Sequence, residues 1–183
     1  MNPNIKLIRK CEWEEVFLLW YKNEGERDNW NQLARERGFA SWADWRLNGY
    51  ARRFECAQAD WGLYEIANPA QTVSGWFGGP FRTWIDLYYG DKTTKIFVDL
   101  VSDTTIINQS AVKSMTDDYP KESIISALEL SDGRIVVIEG MHRSCALASM
   151  TKENKPAPDK LIFAIGKTKL TELPPVGQNT SSK

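Results

Sequence analysis

The chain is poor in the residues on which metal and thiol chemistry depend. It has one histidine, His142, and three cysteines, Cys11, Cys56 and Cys145, in 183 residues. One histidine cannot complete a usual Cys/His zinc set, and no CxxC pair is present. No metal ligand set is therefore assigned, and the thiols are expected to be reduced and mostly buried. Positive charge is not in excess either: 23 Lys and Arg stand against 24 Asp and Glu, a formal net charge of −1. A protein that tracks a nucleic-acid duplex normally carries a basic excess, so nucleic acid is not favoured as a partner. No run of about 18 apolar residues occurs. The opening MNPNIKLIRK also lacks the apolar core of a signal peptide. The expectation is no membrane association and a cytoplasmic, reducing setting.

Tryptophan, by contrast, is plentiful, with eight in the chain. Trp13, Trp20, Trp30, Trp42, Trp45 and Trp61 all precede residue 65, while Trp76 and Trp84 flank Gly78-Gly79-Pro80. This asymmetry divides the chain into a tryptophan-rich helical cap over residues 1–60, an α+β domain over 61–170, and a polar, proline-led tail over 171–183 expected to be mobile.

Within the cap, Trp13, Val16, Phe17 and Trp20 share one face of a helix over 12–23. A second helix spans 28–37 and stops at Gly38. A third opens at Ser41, three residues before Asp44, with capping-box spacing. LARERGF (33–39) has a helix-turn-helix flavour, but the apolar position of the second helix falls on Asp44, and acidic residues offset the basic ones. A packed cap is expected instead.

Further on, strands are predicted at 61–66 and at KIFVDLV (95–101), and a helix at 108–118. A hairpin follows, Ser123–Leu130 to Arg134–Ile138, turning at Ser131-Asp132-Gly133, and a last strand at 160–165. Pro80 is placed to open a helix that ends at Gly90.

The only histidine lies in VIEGMHRSCALA (137–148), where a β-branched strand gives way to a helix through Gly140. The free amides at a helix start carry partial positive charge, so this junction suits an anion or phosphate. Arg143 offers a charged donor fork, and His142 a donor or proton shuttle. Glu139 is placed to orient Arg143, hold a magnesium-bound water or accept a proton. The alternative is that the His-Arg pair merely caps the helix and bonds a neighbouring loop. Gly78-Gly79-Pro80-Phe81-Arg82 is a second place for an amide nest, or else a tight turn with aromatics in the core.

DGRIVVIEGMHRSCALASM resembles the signature of the ParB/sulfiredoxin superfamily, with similar element order over about residues 93–166. The resemblance implies an α+β fold with a mixed sheet and flanking helices. It also implies nucleotide phosphates held by Gly140, Met141, His142 and Arg143. The chain departs from two branches of that superfamily. Met141 stands where sulfiredoxins carry their catalytic cysteine, and a thioether is no thiolate nucleophile. The double-arginine CTP signature, helix-turn-helix domain and dimerising tail of partition ParB proteins are absent from this sequence. Relatives that act as small-molecule kinases suggest a phosphotransferase that uses ATP or another nucleotide with Mg²⁺ and a small hydroxyl substrate. Glu139, Asp103 and His142 are then the catalytic candidates and Asp99 a further carboxylate. Asp103 reads equally as a turn or helix cap, and Asp99 as the outward side of a strand. A non-catalytic binding module and a nuclease remain as alternatives.

Overall fold

In the computed structural model, which describes residues 4–177, the chain enters as a strand, β1 (Ile5–Lys10). Three helices follow. Helix α1 (Trp13–Trp20) buries Trp13, Val16 and Trp20, the face set by their helical spacing, and continues as a π-helical turn over Tyr21–Gly25. Helix α2 (Asp28–Glu36) ends at Gly38, whose φ of +83° continues no helix. Helix α3 (Trp42–Arg46) is capped by Ser41, whose hydroxyl accepts from Asp44 N–H at 3.1 Å, and runs on as a π-turn over Leu47–Ala51. Next come β2 (Asp60–Ala67), α4 (Pro69–Ser74), β3 (Phe77–Gly78) and α5 (Arg82–Trp84), the last extended by a third π-turn, Ile85–Tyr89. Strand β4 (Lys95–Ile96) precedes α6 (Phe97–Leu100), α7 (Thr104–Ile107) and α8 (Ser110–Asp117). The chain closes with β5 (Ile125–Glu129), β6 (Ile135–Glu139), α9 (Met141–Glu153) and β7 (Lys160–Lys167).

The strands form one mixed α+β sheet in the order β1-β2-β7-β5-β6-β3-β4. β5 runs parallel to β7 and antiparallel to β6, and β3 pairs parallel with β6. Both faces of the central strands are covered, which is why IVVI and LIFAI read as unbroken apolar runs. Val137, Phe163 and Ile165 face the layer made by α4 and α6 to α9. Val136, Ile138 and Ala164 face the tryptophan layer of α1 to α3. The cap is thus the second covering of the sheet. Trp20 Nε1 donates to Ser126 Oγ at 2.8 Å across that contact, and Trp13 packs on Trp20 and Trp61.

Four expectations need correction. KIFVDLV is a strand only at Lys95–Ile96. Phe97, Leu100 and Val101 are fully buried and Val98 is exposed, the i, i+3, i+4 spacing of a helix. Residues 1–60 are not all helical, because β1 pairs with β2. Pro80 lies two residues ahead of α5 and does not open it. The stretch 171–177 is held: Leu173 and Val176 are buried, Val176 N–H donates to Pro80 O at 2.9 Å, and Arg82 N–H donates to Val176 O at 2.8 Å. The rest of the expected tail, 178–183, lies outside the described residues. No helix among the described residues is long and apolar enough to cross a membrane.

Candidate functional site

Strand β6 ends at Glu139, Gly140 reverses the backbone at φ +96°, and α9 begins at Met141. The first intrahelical bond is Ser144 N–H to Gly140 O at 2.9 Å. The amides of Met141, His142 and Arg143 therefore precede the helical ladder, at the positive end of a thirteen-residue helix. This corner opens into a cleft of about 1000 Å³ between α9 and the tryptophan layer.

The structure gives the predicted residues unequal roles. His142 is exposed, lines the cleft and rests against the Trp84 ring at 5.3 Å. The protein packed around it, and then the Arg143 charge, hold its imidazole below the ordinary histidine value. Arg143 is a different case. It is buried and committed internally, with Nη2 donating to Glu139 at 2.5 Å and Nη1 donating to Ser123 Oγ and to Ile124 O. It braces β6 and the 123–124 strand entry against α9, so the expected charged fork for phosphate is a strut. Gly140 serves that strut: a Cβ there would sit 2.8 Å from Ile125 Cγ1 and 3.0 Å from Arg143 Nη2. Its openness admits the chain's own guanidinium. Burial pushes the Glu139 carboxyl up, with Arg143 pulling it back.

Met141 turns inward, its Sδ accepting from Gly79 N–H at 3.4 Å. Gly79 O in turn accepts from Tyr89 Oη at 2.9 Å. The second candidate nest, at Gly78-Gly79, is therefore filled by core side chains. Asp103 caps α7, accepting from Thr105 N–H at 2.8 Å and Thr105 Oγ1 at 2.7 Å, and those bonds hold its carboxyl below the ordinary value. Asp103 and Asp99 do not line the cleft, so both stand apart from the α9 corner. Cys145 is fully buried, and burial pushes its thiol well up, as does that of Cys56. Neither is a nucleophile.

The cap supplies what the sequence reading missed. Lys22, Arg27 and, from the loop before β5, Lys121 line the cleft, and their side chains have no hydrogen-bond or ion-pair partner among the described residues. Glu24 and Glu139, two of the cleft's carboxylates, are each bound to an arginine, Arg46 and Arg143. The remaining field is positive, although the whole chain is near neutral. The cleft also gathers π-helical turns. Lys22 and Glu24 come from one and Tyr50 from a second, while Trp84 leads into the third. Such turns are rare, and they collect at functional sites. Their clustering at Lys22, Tyr50 and Trp84 is no motif in sequence, because an extra residue in a helical turn leaves the apolar spacing almost intact.

Among the described residues, no group of three or more His, Cys, Asp and Glu side chains is placed to hold a metal ion. Comparisons of the chain with protein-family models, curated proteins and solved structures found no match.

Proposed function

We propose that the chain binds a phosphorylated small molecule of the nucleotide class in this cleft, with the phosphates at the start of α9. The reading is carried by one observation: the cationic side chains of Lys22, Arg27 and Lys121, with no ion-pair partner among the described residues, line the same cleft of about 1000 Å³ as the helix-start amides. Helix-start amides and mobile cations are the ordinary means of holding phosphate. A cavity of this size lined by tryptophan, tyrosine and phenylalanine also takes a ring-bearing ligand. His142 and the amides of Met141 and Arg143 would hold the innermost phosphate, and Lys22, Arg27 and Lys121 the outer ones. Mg²⁺ would arrive on the phosphates, keeping several waters and taking one or two carboxylates. Glu122 lines the cleft with no partner among the described residues and is the carboxylate open to it.

Phosphoryl transfer to a hydroxyl asks for a base beside the acceptor. Glu139 and Glu24 are held by arginines, Asp103 lies elsewhere, and the one open carboxylate, Glu122, is the one assigned above to Mg²⁺. Binding is therefore the better supported reading, and transfer, with His142 as its proton carrier, is the second. The test is thermal unfolding with ATP, GTP, CTP, ADP and pyrophosphate, each with Mg²⁺. A ligand at 100 times its Kd adds about 2.7 kcal/mol, a rise of several degrees in a chain of this size. Lys121→Ala and His142→Ala should shrink that rise while leaving the melting temperature without ligand within about a degree or two. If none of the five moves the melting temperature, the proposal is wrong. Incubation with serine or other small alcohols, followed by ³¹P NMR, separates transfer from binding alone.

A further inference from the structure

The cap wall of the cleft carries a second preorganised group, Arg46. It is 8% exposed although charged. Its guanidinium lies over the rings of Trp45, Tyr50 and Trp30, at 4.3, 4.8 and 5.1 Å from their centroids. Nε and Nη2 both donate to one oxygen of Glu24, at 2.8 and 2.5 Å. Trp42 Nε1 fixes the same oxygen at 3.0 Å. An arginine held on three rings and one carboxylate has little freedom left. Only part of its donor fork is used, however. Nη1 donates to nothing among the described residues, and the side chain lines the cleft. Nη1 is not one of the fully buried unpaired atoms among the described residues, so this otherwise fixed guanidinium keeps donors that a ligand in the cleft can reach.

We infer that Arg46 reads the edge of the ligand's ring, and that the ring is guanine. The inference rests on the phosphate site proposed above. Arginine offers donors only. The guanine edge with O6 and N7 presents two acceptors side by side, whereas the same edge of adenine pairs the N7 acceptor with an N6 donor that would face an N–H. Trp30 and Phe81, both half-buried and lining the cleft, supply apolar surface for the ring. Glu24 acts as a positioning residue, because it sets which N–H groups of Arg46 remain free.

Calorimetric titration of the full chain with GDP, ADP, 7-deaza-GDP and pyrophosphate tests this. GDP should bind about tenfold or more tighter than ADP, the discrimination that one bidentate pair supplies. 7-deaza-GDP, lacking N7, should fall most of the way to ADP. Arg46→Lys should bring the GDP/ADP ratio close to one and leave pyrophosphate affinity unchanged, with circular dichroism verifying the fold. The ligand series on the unaltered chain decides the matter even where that variant is unstable. Pyrophosphate binding with equal GDP and ADP affinities overturns the ring assignment and leaves the phosphate site standing. Failure of all four ligands overturns both.

Discussion

At the scale of single residues, adjacent side chains on one helix turn have opposite duties. Arg143 is turned into the protein, bonded to Glu139, Ser123 and Ile124. His142 is turned out into the cleft. Both types suit an anion, and sequence spacing could not separate them. Which one folds inward depends on a carboxylate four residues earlier, on the strand, and on a hydroxyl twenty residues away. The His142 imidazole lies below its ordinary value of 6.5 in the folded chain. The unfolded chain therefore takes the proton more readily, and this residue lowers stability as pH falls through 6.5, an effect relieved as pH rises above it. A phosphate beside the ring favours the imidazolium, so binding should take up a proton. Affinity for a nucleoside diphosphate should rise between pH 7.5 and 6, more steeply in the native chain than in His142→Asn. The ligand's own titration is common to both, so equal slopes would remove His142 from the phosphate contact.

At the scale of elements, the junction of β6 with α9 is held by the Glu139–Arg143 pair, both partners under a tenth exposed. Breaking a buried pair leaves one charge without compensation, which costs about 3–5 kcal/mol. Arg143→Ala should lose about that much in urea unfolding at pH 7. The loss should be smaller at pH 5, where the stranded Glu139, already pushed up by burial, takes a proton. A loss under about 1 kcal/mol would mean that the pair is not the brace described. Most elements were legible in sequence because their signals are local. Examples are Ser41 as a helix cap, Gly38 as a stop, and Gly133, at φ +86°, turning β5 into β6. Strand β1 was not legible, because an exposed IKLIRK shows no buried face until β2 lies beside it. Helix α6 was missed because four residues hold a single helical turn, and apolar residues at that length fit a strand equally well.

At the scale of the whole molecule, the site belongs to neither half of the sequence. The helix start comes from residues 139–143, but the cations, the aromatic wall and Arg46 come from the cap laid over the sheet. Near-zero net charge hid this, because, Glu122 apart, the acidic residues are either bound to arginines at the cleft or lie away from it. Only the fold collects Lys22, Arg27 and Lys121 along one cleft. The expected mobile tail had the same cause of error: Leu173 and Val176 look like stray apolar residues in a polar stretch until the tryptophan-side core receives them, Val176 beside Phe81. The most direct measurement of the central claim is a ¹⁵N-HSQC titration of the assigned chain with pyrophosphate and then GDP. Saturable shifts are expected at the amides of Met141, His142 and Arg143, with smaller ones at Lys22, Arg27 and Lys121. Amides of the α9 first turn that stay fixed at millimolar ligand would contradict it.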